Sequence, residues 1–189
     1  MLVGSVLKNL MVDAVYQKAL SYNGNYPDGL VVALELQEVL LDVVSDYLLN
    51  NMKFSGIYTG MIPGIPPVAD PLSGSYILEP LAIPGLSPSL MLDSVSGGIQ
   101  SWYSLLMSMI KTLVLNPNVL SITIVPTPPL VGCVPGMLGL SVPDDFDTVY
   151  LDLANVIVDS LNSTPVSGIS FPATSVAGGQ GVMTLTAVV

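Results

Sequence analysis

The chain of 189 residues contains no arginine, no histidine and one cysteine, and only 10 % of its residues are charged. A typical soluble domain is about 25 % charged. Without histidine, Ser-His-Asp and Cys-His catalytic arrangements and histidine-ligated metal sites are excluded. A single cysteine excludes an intramolecular disulfide and a cysteine metal cluster, so we expect Cys133 to be a small buried apolar residue.

Positive charge is scarce as well, because four lysines face fourteen carboxylates and the formal net charge is −10. Nucleic-acid binding needs a basic surface, which four scattered lysines do not form. The same deficit disfavours contact with anionic membranes. We therefore expect no nucleic-acid partner, no bound metal and no cofactor.

Apolar residues make up 51 % of the chain, and the mean hydropathy is +0.70. So much apolar surface with so few charges predicts large buried interfaces between subunits. A membrane-spanning helix is not expected, because the most apolar helix carries four carboxylates and each costs a few kcal/mol at the bilayer centre. The N-terminal region lacks a basic segment and includes Lys8 and Asp13, so it does not resemble a signal peptide.

The stretch from Asp28 to Phe54 predicts one long helix, around which the rest of the chain is organised. Nearly all its positions are apolar except one narrow stripe of polar residues at steps of three and four, which are Glu35, Glu38, Asp42, Ser45, Asp46, Asn50 and Lys53. Its own chain, other subunits or lipid must cover such a helix. A second helix is predicted from Leu2 to Leu20, and the short turn-rich segment between the two helices favours a helical hairpin. Asp28 is placed to cap the longer helix.

Two further helices are predicted from helical periodicity, one within residues 90–115 and one from Asp144 to about Leu161. Strands are predicted at 120–125 and 182–189. Residues 54–88 are rich in proline and glycine yet apolar, which predicts an ordered, extended arm that lies on a surface. We therefore predict a single α+β domain over 1–189, with three to four helices including the N-terminal hairpin, a few short strands, the arm, and a C-terminal tail or strand over 164–189.

Apolar side chains of the arm and the tail are the ones that we expect to contact neighbouring subunits. Buried area from such segments holds symmetric assemblies together without a larger globule. The predicted interface residues are Ile57, Tyr58, Met61, Ile62, Ile65, Tyr76, Ile77, Leu81, Ile83, Phe171, Val182 and Leu185.

The apolar segment MIPGIPPVADPLSGSYILEPLAIPGLSP and the uncharged tail SFPATSVAGGQGVMTLTAVV are attached to short helices. In this general style the chain resembles the small accessory subunits of tailed-phage particles, which include connector, neck, baseplate and head-decoration proteins. The resemblance rests on no specific motif and carries over no functional residue. It implies a non-enzymatic structural subunit of a virion, assembled in the host cytoplasm with copies of itself or with other subunits.

Two other classes of function remain open. A membrane-associated or lipid-binding helical protein would use the wide apolar helix faces, and a carboxylate-dependent enzyme would use Glu35 or Asp42. The acidic residues Asp144, Asp145 and Asp147 have the chemistry to ligate Ca²⁺ or Mg²⁺. Carboxylates at a helix start also stabilise its free N–H groups and its dipole, and we favour that role.

Overall fold

The computed structural model of the protein describes residues 1–84, 98–119, 121–138 and 146–189. These residues form the predicted mixture of helices and antiparallel strands. The helices are α1 (Gly4–Ser21), α2 (Gly29–Asn51), α3 (Gly98–Ile110) and α4 (Phe146–Asn162). The strands are β1 (Phe54–Ile62), β2 (Val68–Ala69), β3 (Gly74–Leu78), β4 (Pro80–Ala82), β5 (Val114–Leu115), β6 (Asn118–Val119), β7 (Ile122–Ile124), β8 (Ser170–Ser175) and β9 (Gln180–Val188).

Helices α1 and α2 form the predicted hairpin, and local chemistry fixes its turn. Asn23 and Gly24 adopt positive φ angles of 48° and 80°, which asparagine and glycine tolerate better than other residues. Asp28 caps α2 as expected, since its carboxylate accepts a hydrogen bond from the Leu30 N–H at 3.0 Å. Helix α1 packs against both α2 and α4. A Cβ atom at Gly4 would meet Asn155 of α4, so glycine permits this close approach.

Strand β1 lies inside the main sheet, whose order is β2-β1-β9-β8-β7-β6 with β3 also paired to β1. All pairings are antiparallel. Strand β4 follows β3 in the chain and pairs with β5, and β5 in turn precedes β6. The pair β4–β5 therefore links β3, at one end of the sheet, to β6, at the other. The Asn116 N–H also donates to the Glu79 carbonyl at 2.8 Å. The sheet therefore curves until its two ends meet.

The inner face of this curved sheet and the helices share one hydrophobic core. Side chains alternate along β1, where Phe54 and Tyr58 are fully buried while Ile57 and Met61 are exposed. Buried residues of β3, β5, β7, β8 and β9 and of α1 to α4 join the same cluster, among them Leu7, Leu41, Leu48, Tyr103, Leu106, Leu153, Ile157, Phe171, Met183 and Leu185. The helices thus cover the inner face, and the described residues leave the outer face of the sheet open.

The extended arm predicted over residues 54–88 is not confirmed. Residues 54–82 form β1 to β4, and β1 is hydrogen-bonded along both edges, to β3 and to β9. Its inward glycines, Gly56 and Gly60, hide the strand alternation in the sequence. Residues 85–88 of the predicted arm lie outside the described residues, as do residues 90–97 of the third predicted helix and Leu120 of the predicted strand at 120–125. The predicted final strand is observed as β9, and its partners are β1 and β8.

Candidate interaction surfaces

The predicted interface residues do not form one surface in the folded chain. Ile57, Met61, Ile77 and Val182 are between 42 % and 50 % exposed and lie together on the outer face of the sheet. Ile65 and Leu81 are exposed elsewhere, and Ile62 and Tyr76 are partly buried. The other four, Tyr58, Ile83, Phe171 and Leu185, are buried in the chain's own core and are therefore not part of a candidate surface.

The outer face of the sheet carries no charge, because none of the nine strands in the described ranges contains Asp, Glu, Lys or Arg. We call this surface the uncharged face, and it comprises Ser55, Ile57, Thr59, Met61, Ser75, Ile77, Thr123, Ser170, Pro172, Thr174, Gln180, Val182, Thr184 and Thr186. The nearby ion pair between Lys53 and Glu79, 2.8 Å long, lies beyond the ends of β1 and β3. Solvent-facing strands usually carry polar or charged residues, so this composition is unusual for a face meant to contact water alone.

Several hydroxyl groups of the uncharged face are hydrogen-bonded to one another across strands. The Ser55 and Thr186 hydroxyls lie 2.6 Å apart between β1 and β9, and the Ser170 and Thr184 hydroxyls lie 3.0 Å apart between β8 and β9. A partner that covers such pairs does not leave these groups without a hydrogen bond. Removing water from the face when a partner binds therefore costs less free energy than its hydroxyl content suggests.

A buried carboxylate supports one end of the uncharged face from behind. Asp70, which is 3 % exposed, accepts hydrogen bonds from the Tyr58 hydroxyl at 3.0 Å, from the Ser175 hydroxyl and from the Leu72 N–H at 2.9 Å. The Ser175 hydroxyl in turn accepts from the Gly179 N–H at 3.0 Å. These bonds connect β1, the turn between β2 and β3, and the turn between β8 and β9.

The electrostatics of this cluster favour one protonation state. Burial raises the pKa of the Asp70 carboxyl, but the hydrogen bonds from Ser175, the Leu72 N–H and Tyr58 outweigh burial and hold that pKa below its ordinary value. Burial, followed by the adjacent Asp70 carboxylate, raises the pKa of Tyr58. Asp70 is thus the charged acceptor and Tyr58 the protonated donor near neutral pH. No local sequence pattern indicates this cluster, since Asp70 lies alone in a proline- and glycine-rich segment.

A second candidate surface is the part of the helical hairpin farthest from the core, residues 12–39, which we call the hairpin tip. Every residue of the hairpin tip is at least partly exposed, whereas the second half of α2 buries Leu40, Leu41, Val44, Tyr47 and Leu48. Its largest exposed apolar side chains are Tyr16, Leu20, Tyr26, Leu30 and Val31. The wide apolar face of the long helix predicts that such residues are covered, and within residues 1–84, 98–119, 121–138 and 146–189 nothing covers them fully.

Polar contacts join the two helices at the hairpin tip. The Lys18 ammonium lies 2.8 Å from the Glu35 carboxylate, and the Tyr22 hydroxyl donates to the same oxygen at 2.7 Å. The hydrogen bond from Lys18 and then that from Tyr22 lower the pKa of Glu35. Burial and the contact with Glu35 raise the pKa of Tyr22 to about 12. Glu35, proposed above as a possible catalytic carboxylate, is therefore engaged in a structural contact.

The acidic cluster at the start of α4 is only partly described. Asp144 and Asp145 lie outside the described residues, and Asp147 lies in the first turn of α4, where it forms an ion pair with Lys8 at 3.1 Å. Within the described ranges, no three His, Cys, Asp or Glu residues are grouped so as to hold a metal ion. Cys133 is buried, as expected, and its thiol donates to the Ser160 carbonyl.

The helices seen in the described part of the chain are either too short or too polar to cross a membrane. Compared with known proteins, the chain matches no family model, no curated protein and no solved structure.

Proposed function

We propose that the chain is a non-enzymatic structural subunit of a large protein assembly, and that this assembly is a virion put together in the host cytoplasm. The observation that carries the proposal is the hairpin tip, a helical segment rich in apolar residues that the described part of the chain leaves partly exposed. The hairpin tip contains only the second half of α1 and the first half of α2. Isolated helices so short are marginally stable in water, so most of their stability has to come from packing. A neighbouring subunit supplies that packing.

The size of the uncovered surface is consistent with a subunit contact. Tyr16, Leu20 and Tyr26 are each more than half exposed, and so is Leu30. Full burial of a side chain of this kind contributes about 1.5–3 kcal/mol, so burying the exposed halves of four of them is worth roughly 3–6 kcal/mol. Contiguous exposed apolar patches on soluble proteins often mark sites of interaction. Only 10 % of the residues are charged, so few ionic groups are present to keep such a surface hydrated.

The test is the mass of the purified chain by native mass spectrometry and light scattering, with electron microscopy of any particles. We expect the 19.8 kDa chain to form larger species, and we expect Leu20→Glu to weaken them because it places a charge in the apolar contact. Gln17→Glu is the matched control, since it adds the same charge at an exposed polar position of the same helix. A wild-type chain that stays a monomer at every concentration would count against the proposal.

Flotation with neutral phosphatidylcholine vesicles tests the lipid-binding alternative in parallel. Exposed Tyr16, Leu20 and Tyr26 have a composition that also suits a membrane interface. Recovery of the wild-type chain with the vesicles, and its loss in Leu20→Glu, would replace the assembly proposal with lipid binding. We expect the chain to stay at the bottom of the gradient.

A further inference from the structure

We infer that the uncharged face binds the same face of a second copy of this chain, so that two curved sheets pack outer face against outer face. The inference rests on the proposed function, but it names the partner and uses a surface separate from the hairpin tip. Two properties of the face support it, its charge and its hydrogen bonding, and its area sets the expected strength of the contact.

Charge selects the surface through which two copies can meet. Each copy has a formal net charge of −10, so copies repel one another wherever their carboxylates approach. The described carboxylates lie on the helices and in the segments between strands, and none lies on the uncharged face. Two copies that meet through this face keep their carboxylates apart, and no complementary basic partner is required.

Hydrogen bonding makes the same face suitable for close contact. Hydroxyl pairs such as Ser55 with Thr186 share a hydrogen bond within one copy. Ile57 of β1 and Val182 of β9 are diagonal neighbours on this face, because Ile57 pairs with Thr184 and Val182 pairs with Thr59. Together with Met61 and Ile77 they supply the apolar contacts. Packed sheets in proteins meet through interdigitating side chains of this size.

Area sets the expected strength of the contact. The outer faces of β3, β1, β9 and β8 span about 450 Å², taking a strand spacing of about 4.8 Å and a rise of about 3.3 Å per residue. A pair would bury at most roughly 900 Å², because the curved faces bend away from each other, and this is below the range of stable specific interfaces and within that of weak, transient ones. The contact is therefore weak and reversible in a free pair, and it is strengthened where several contacts act together in one particle.

The experiment is sedimentation of the full chain over a concentration series, with Ile57→Glu and Ile57→Lys as test variants. We expect a reversible wild-type dimer and a dissociation constant raised at least about tenfold in each variant, because either charge would be buried against uncharged side chains of the other copy. Val182→Glu is a second test variant on the neighbouring strand. Val134→Glu is the control, since Val134 is 80 % exposed in the segment between β7 and α4 and lies off the face.

Circular dichroism and the fluorescence of the buried Trp102 establish that each variant is folded before its mass is interpreted. Equal weakening by Val134→Glu, or an unchanged dimer in the Ile57 and Val182 variants, would overturn the inference. A change of mass in Leu20→Glu without any change in the Ile57 variants would overturn it as well, and the proposed function would stand. No larger species in any sample would refute both.

Discussion

Replacing Tyr58 by phenylalanine removes one hydroxyl from the buried Asp70 cluster and leaves the ring in place. The Tyr58 side chain is fully buried, and its hydroxyl donates to Asp70 at 3.0 Å. Hydrogen bonds to charged groups are worth about 1.5–3 kcal/mol, and the variant also leaves a buried carboxylate with one donor fewer. We therefore expect Tyr58→Phe to lower the free energy of unfolding by about 2 kcal/mol.

Tyr76→Phe is the matched control, because it deletes the same atom from the neighbouring strand. The Tyr76 hydroxyl donates to the Leu72 carbonyl at 2.6 Å, and this acceptor is neutral and only partly buried. A neutral hydrogen bond of this kind contributes about 0.5–1.5 kcal/mol. The difference between the two variants thus isolates the contribution of the charged acceptor.

Urea unfolding followed by Trp102 fluorescence measures both variants, since Trp102 is the only tryptophan and is buried in α3. With a urea slope of about 2–3 kcal/mol per molar, we expect the midpoint of Tyr58→Phe to fall by roughly 1 M, and that of Tyr76→Phe by less than half as much. All samples are compared at one protein concentration, because assembly shifts apparent stability. Equal effects of the two substitutions would refute the assignment of Asp70 as a buried charged acceptor.

Two further predictions concern the same region of the sheet. The pKa of Asp70 is lowered on folding, so its charge stabilises the native state above the ordinary value of 3.8, and this contribution is lost as the pH falls through the folded value. We expect the stability advantage of the wild type over Asp70→Asn to be full at pH 7 and to shrink below pH 3.8 in urea titrations, and a pH-independent difference would contradict this. Gly181→Ala places a Cβ atom against the Thr59 carbonyl and the Gly60 Cα in the paired strand, so we expect a loss of about 2–3 kcal/mol. Gly74→Ala, where the Cβ atom meets nothing within 4 Å, should change stability by less than about 0.5 kcal/mol, and equal losses would show that β1 and β9 are not so close.

The helices could be predicted from the sequence because their signals are local. Asp28 caps α2, the turn residues Asn23 and Gly24 separate α1 from α2, and apolar periodicity marks α4. Each of these signals depends on residues within a few positions of one another. The predicted hairpin and the predicted α+β class are both observed.

Strand β1 could not be predicted because its inward positions alternate large residues with glycine. A Cβ atom at Gly60 would meet the Tyr58 hydroxyl, so the space next to glycine is filled by a neighbouring side chain. Proline and glycine content therefore suggested an arm where the chain forms a central strand. The Asp70 cluster was hidden for a related reason, since Asp70 and Ser175 are 105 residues apart and only the fold brings them together.

The position of β1 between β3 and β9 has a consequence for how the chain acquires its structure. One edge of β1 finds its partner within the next twenty-odd residues, whereas the other edge pairs with β9, the last strand of the chain, with Val188 opposite Phe54. During translation that second edge presents unpaired backbone groups until β9 has left the ribosome, and unpaired strand edges promote aggregation. Distant strand pairing also slows folding, so the main sheet is completed only after synthesis of the C-terminal strand, and any delay before that point lengthens the exposure of the unpaired edge.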